Sequence, residues 1–446
     1  MTARTIPATG SDDPTHLDAD PVVGRIGPAQ RTGRTQHTRS AQHAGTAQRT
    51  QRTQRTQHTQ HTQRTGGTGG TGGTQRTGAG GSATPGPTDR RDPVLDLVRA
   101  AALLVVVMWH WAFTTLRWDD GPHVGNPIGE TPGSWVLTWF LQVMPLFFLV
   151  GGTLHANALE RHIAAGRNSW SFITARFRRL VIPVLPLLAV AATVAGAAIA
   201  FGRADVARGV VLMITPLWFL AVYLVLVVVA PLAMVLHRRF GLWAIVVATA
   251  TLAVIDRCAT LPNKGDLGLI ATIGIYVWTW SIVHQLGLHL HRLRSAPRAV
   301  QAATCIGGFM ALIVGASELG YPASMVGTHP EPISNMSPPN LMVVFLAIAQ
   351  MGLLVVADAP LRRWCERHRS LLGTAGGWSM TIYVWHMLAL AGFWGLFTIL
   401  AGAPSHHVDV EWWTQRPLWA IGPLLFAVPL FALVGPTRRQ IRAGSR

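Results

Sequence analysis

The amino-acid sequence predicts an all-α fold: a polytopic membrane helical bundle of about ten transmembrane helices, preceded by a disordered tail. Three observations carry that prediction. The 446 residues are 49% hydrophobic and only 13% charged, with 17 Trp, a charged fraction near half that of ordinary soluble proteins. Apolar runs long enough to cross about 30 Å of hydrocarbon, roughly 20 residues each, recur from residue 94 to the C-terminal region. Basic residues gather on alternate loops between those runs.

The chain begins as a different polymer. Residues 1–92 contain no Phe, Tyr, Trp, Cys or Lys, and residues 51–74 read QRTQRTQHTQHTQRT followed by GGTGGTGGT. Such a segment buries too little apolar surface to offset its ordering entropy, which predicts disorder. His37, His43, His58 and His61 offer loose metal contacts at most, and a solvated tail is the simpler reading. No apolar run near Met1 marks a signal peptide.

The membrane domain follows over 93–436, with a short basic tail at 437–446. Its spans are expected near 94–116, 135–158, 180–201, 210–236, 241–256, 267–290, 299–317, 340–357, 376–400 and 417–435. A cytoplasmic N-terminus places loops 159–179, 237–240, 291–298, 358–370 and 436–446 on the inside. These hold 18 Lys and Arg against six on the opposite connections, as the positive-inside rule requires. Both termini are therefore expected in the cytoplasm and the protein in the cell membrane. The net charge of +17 is mainly this topological signature, so no nucleic-acid partner is expected. Cys258, Cys305 and Cys365 are too few for a disulfide framework and stand at no metal-ligand spacing, so no metal is expected.

Ionisable groups inside a bilayer are expensive and mark functional sites. In the first span, RRDPVLDLVRAAALLVVVMWHWAF, Asp96 and Arg99 share a helix face near the cytoplasmic end. They read either as an intrahelical ion pair or as part of a site. His110 stands eleven residues beyond Arg99, about 16 Å along the helix. It is either an interfacial histidine or a reactive one. The second span carries MPLFFLVGGTLHANAL, where Pro145 and Gly151-Gly152 imply close packing or a kink over a cavity. His155 beyond them reads as a cap or a snorkelling group. The next loop concentrates Arg176, Arg178 and Arg179 beside the membrane. Their planar forks suit phosphate, and lipid headgroups would attract them equally. Trp218 and Tyr223 fall near the outer half of the fourth span. In the ninth, WSMTIYVWHML sets Ser379, Tyr383 and His386 on one face, as interhelical glue or as a site opposite His110.

Together these segments resemble the acyltransferase-3 family of integral membrane acyltransferases over roughly 90–435. The resemblance rests on DLVRAAALLVVVMWH, which keeps an Arg-ten residues-His spacing, and on MPLFFLVGG, RFRRLVIPVLP, PLWFLAVYL and MTIYVWH in that order. SMVGTHPEPISNMSPPN (324–340) and HQLG (284–287) resemble an actinobacterial-type branch. The commoner family form ends Ser-Gly where this chain has Gly151-Gly152, so a role carried by that serine is not expected here.

The resemblance implies an O-acyltransferase, transferring groups other than aminoacyl groups. Its donor substrate would be cytoplasmic acyl-CoA, with acetyl-CoA expected, and its acceptor a hydroxyl of a sugar, glycan or glycolipid at the membrane. Arg176, Arg178 and Arg179 would take the CoA phosphates, and Arg99 would guide the donor. His110 would act as general base or as a transient acyl carrier, and the sequence leaves both open. Tyr383 or Ser379 would stabilise the oxyanion by placement, with His386 on the same stripe. Asp96, Asp256 and Glu318 offer no carboxylate partner for His110 by spacing. A transporter or flippase of a glycan or lipid-linked substrate is the competing class, because helix breaks and polar midplane residues suit one too. It would lack the expected internal repeat and an acidic relay.

Overall fold

The structure is a computed structural model that describes residues 92–117, 123–129, 131–259, 268–327, 334–402, 404 and 408–436. The tail expected over 1–92, Asp92 excepted, and the one expected over 437–446 lie outside these residues. The helices in chain order are α1 (Pro93–Phe113), α2 (Trp135–Leu141), α3 (Met144–Ala164), α4 (Ser169–Val181), α5 (Leu185–Ala200), α6 (Ala204–Ile214), α7 (Leu217–Phe240) and α8 (Leu242–Ala259). They continue with α9 (Leu269–Leu288), α10 (Leu290–Arg294), α11 (Arg298–Ser317), α12 (Leu341–Val356), α13 (Asp358–Arg367), α14 (Arg369–Ala401), α15 (Val410–Ile421) and α16 (Leu424–Val434). A two-stranded antiparallel hairpin of three residues a side, β1 (Thr115–Arg117) and β2 (His123–Gly125), follows α1.

Among the described residues, eight helical segments are long and apolar enough to cross a bilayer, and a ninth arises if α12 and α13, bent by 62°, count as one. The expected fifth span, 241–256, is the 18-residue α8. The protein is thus a multi-pass membrane helical bundle.

Two stretches read as loops are helical. Residues 169–181 form α4, opened by Asn168, whose Oδ1 accepts from the Ser171 N–H at 2.9 Å. Residues 358–367 form α13. Both are amphipathic and basic, so their polarity resembles that of a loop although their periodicity is helical.

Pro145 explains the break between α2 and α3. It has no N–H to give the preceding turn, so α2 ends at Leu141 and α3 restarts at Met144. Gly151 and Gly152 do not break α3. They allow it to cross α9: a Cβ on Gly152 would lie 2.0 Å from the His284 carbonyl oxygen, and one on Gly287 1.9 Å from that of Leu149. Small residues at such crossings let membrane helices approach without a side chain between them. Helix α12 runs through the centre of the core, with Met342, Val343, Val344, Leu346, Ala347 and Ala349 fully buried.

Candidate active site

Two cavities lie against α1, one above the other. The larger, about 1320 Å³, is lined by Arg99 from α1, Arg161 from α3, Arg176 and Arg179 from α4, and Arg369 from α14, with Asp92 and Asp96 the only acidic residues among the described ones on its wall. Tyr223, Ser379 and Tyr383 face the same space. Arg176 packs its guanidinium over the Phe172 ring at 5.6 Å, which fixes the cation on the cavity side of α4. Arg178 is exposed and is not part of this lining, because one helical step of 100° separates it from the face that Arg176 and Arg179 share. Asp96 and Arg99 approach to 3.7 Å with both side chains more than a third exposed, a pair that contributes little.

The smaller chamber, about 230 Å³, is lined by His110, Trp109, Gln142, Trp218 and Met336 among others, with no Asp, Glu, Lys or Arg among the described residues that line it. Val106, Val143, Met144 and Tyr383 line both spaces, so these four side chains form the partition between them. Helix α1 therefore serves both: Arg99 faces the large cavity, and His110 faces the chamber across the partition.

His110 has a partner that spacing along its own helix did not reveal. Its Nδ1 lies 3.0 Å from Nε2 of His386 on α14, and the rings stack at 5.1 Å. Nδ1 of His386 in turn lies 2.7 Å from the Tyr383 carbonyl oxygen. That oxygen can only accept, so a neutral His386 carries its proton on Nδ1 and offers a lone pair at Nε2. His110 then donates from Nδ1, which leaves its own Nε2 with a free lone pair. This is the orientation that a base or nucleophile requires. The partner is a second histidine, fully buried, where a carboxylate is more usual. The pair is held from both sides: Trp111 Nε1 donates to the His386 carbonyl at 3.0 Å, and Arg416 Nη1 donates to the Ala112 carbonyl at 2.8 Å.

Ser379 and Tyr383 are placed differently from the expected oxyanion donors. The Ser379 hydroxyl donates to the Ala375 carbonyl at 2.7 Å and that of Tyr383 to the Pro216 carbonyl at 2.8 Å. With both protons committed to backbone, Tyr383 acts as a fixed wall between the cavities and Ser379 as a turn contact in α14.

His155 is neither a cap nor a snorkelling group. It is completely buried, and its Nδ1 lies 3.1 Å from Nε2 of His284 at the α3–α9 crossing. A Cβ at Gly151 would stand 3.1 Å from the Tyr223 ring, so the position where the family commonly has serine abuts that ring. Asp256 does structural work away from His110, accepting from the Leu341 N–H at 2.7 Å and the Tyr321 hydroxyl at 3.1 Å. Burial and then the neighbouring Asp256 carboxylate push the Tyr321 hydroxyl well above its ordinary range, so it stays a donor in that bond. These bonds, with Trp139 Nε1 to the Ala323 carbonyl (2.8 Å) and the Met325 N–H to Thr138 Oγ1 (2.9 Å), pin the segment that brings Val326, Gly327 and Met336 to the chamber.

The acyltransferase-domain family model Acyl_transf_3 matches residues 92–435. The chain belongs to the acyltransferase-3 family. The match spans both cavities and every helix from α1 to α16. No curated protein and no solved structure shows significant similarity to the chain. As a membrane acyltransferase, it carries two kinds of residue that its sequence did not single out. Arg161 and Arg369 look like topological charges in the sequence, and Gln142 looks like an ordinary polar residue between apolar stretches.

Proposed function

We propose that the protein is an O-acyltransferase of the cell membrane that moves an acyl group, acetyl first of all, from cytoplasmic acyl-CoA to a hydroxyl of a sugar, glycan or glycolipid acceptor. The observation that carries this reading is the pair of spaces divided by one layer of side chains. Five guanidiniums line one side, and the His110–His386 pair faces the other.

The arginine-lined cavity exceeds the roughly 300–1,000 Å³ of an ordinary small-molecule site, and it suits a polyanion as large as CoA. Arg176 and Arg179 hold phosphate there, assisted by Arg161 and Arg369. Arg99 meets the donor deeper in. The alternation of basic loops supports a cytoplasmic position for this cavity and for both termini. The acyl end of the donor reaches past Tyr383 and Met144 toward the chamber.

In the chamber the acceptor hydroxyl oxygen attacks the thioester carbon, and its proton passes to Nε2 of His110. The tetrahedral intermediate then collapses with cleavage of the C–S bond. His110 returns the proton to the departing thiolate, leaving an ester and CoA thiol. His386 keeps His110 in the tautomer this requires.

The test supplies radiolabelled acetyl-CoA to membrane vesicles that hold the endogenous acceptor. Label retained in the vesicles together with equimolar CoA release supports the reading. Movement of a glycan or lipid without CoA release contradicts it.

A further inference from the structure

The acyl-transfer reading leaves the developing oxyanion without a donor, since the Ser379 and Tyr383 hydroxyls give their protons to backbone carbonyls. The chamber itself contains another candidate. Gln142 lies in the break between α2 and α3, beside the partition residues Val143 and Met144, and lines the chamber with His110. Its backbone is fixed by Gln350, whose Nε2 donates to the Gln142 carbonyl at 2.8 Å. Its side-chain oxygen accepts from the Met144 N–H at 3.3 Å. An N–H can only donate, so the amide is turned with its oxygen toward α3. Its NH₂ group has no partner among the described residues. Gln142 and the His110 imidazole line the same space of about 230 Å³.

We propose that the Gln142 side-chain amide donates to the thioester carbonyl oxygen as that oxygen gains charge. The proposal rests on the acyl-transfer reading and adds a catalytic residue to it. When the acceptor oxygen bonds to the carbonyl carbon and its proton moves to His110, the carbonyl electron pair collects on oxygen, where Gln142 Nε2–H meets it. When the C–S bond breaks, the charge leaves with sulfur, which takes the His110 proton. A preorganised donor of this kind in a water-poor site is worth about 10²–10³ in rate.

Two substitutions separate this role from a purely structural one. Gln142→Glu keeps an oxygen for the Met144 N–H and places a carboxylate at a helix N-terminus, which stabilises the helix, but it removes the NH₂ donor. Gln142→Met removes donor and acceptor together. Each variant is assayed in native membrane vesicles lacking the wild-type copy, with radiolabelled acetyl-CoA, for kcat, KM and thermal midpoint. Both variants are expected to lower kcat about a hundredfold, with KM for acetyl-CoA within threefold of wild type. Gln142→Glu is expected to keep the wild-type midpoint. If both stay within threefold of the wild-type kcat, the proposal is wrong while the acyl-transfer reading stands. If only Gln142→Met loses activity, with its midpoint falling in parallel, Gln142 merely caps α3 and the proposal is overturned. If wild type moves no label, the underlying reading and this one fall together.

Discussion

The two cavities share Val106, Val143, Met144 and Tyr383, yet opposite chemistry lines them. The large one collects five arginines from four helices around more than 1,000 Å³ of space. The small one has no Asp, Glu, Lys or Arg among the described residues that line it and is less than a fifth as large. On the proposed function, the guanidiniums gather where the CoA polyanion would be gripped. The acceptor hydroxyl would lose its proton on the side that none of them lines. In such a chamber a hydrogen bond between two imidazoles is stronger than in water, and none of the described residues that line it carries a guanidinium or ammonium group. On the proposed function one space serves binding and the other chemistry, so substitutions in the two should change different kinetic constants.

The largest expected effect is on the chemical side. His110→Ala should lower kcat for label transfer by about 10³-fold or more while leaving KM for acetyl-CoA and membrane insertion unchanged. Retained activity would refute His110 as base. His386 acts through His110 and should weigh less. His386→Leu should cost about a hundredfold in kcat, whereas His386→Gln, whose side-chain oxygen can still accept from His110 Nδ1, should stay within tenfold. Equal losses in the two variants would show that packing, and not tautomer control, is what His386 supplies.

On the binding side, Arg176→Ala and Arg179→Ala should each raise KM for acetyl-CoA about tenfold with little change in kcat, the scale of one charge-assisted contact. Arg178→Ala, on the exposed face of α4, should change neither. A kcat loss in the first two would blur the division of labour. The smallest effect belongs to the partition. Shortening Met144 to Ala enlarges the passage by a few methylenes, and the butyryl-CoA to acetyl-CoA ratio of kcat/KM should rise about threefold or more.

Much of this plan was legible in the sequence. Apolar runs and loop charges locate the spans, because burial of backbone polar groups in lipid leaves few alternatives to helices. The Arg99–His110 spacing puts those two residues at different depths of one helix, and that is where they are found, on two separate cavities. What stayed hidden depends on contacts between distant segments. His386 meets His110 from 276 residues away. Arg369 joins Arg176 in one cavity only because α14 returns, almost two hundred residues later, to the space that α4 lines. Gln142 acquires its role from a break that Pro145 imposes. The hydroxyls of Ser379 and Tyr383 looked available by face and spacing, yet backbone carbonyls within reach take their protons. A single sequence does not display such local competition.

The central claim, that donor and acceptor meet across one layer of side chains from opposite sides, is tested most directly by sidedness. Purified protein is reconstituted in sealed vesicles with one orientation, and radiolabelled acetyl-CoA is supplied only at the arginine-lined face. A membrane-impermeant glycan acceptor is placed only on the other side. The account predicts CoA on the donor side and labelled ester on the acceptor side, both lost in His110→Ala. Labelled ester that forms only when donor and acceptor share one side would contradict it.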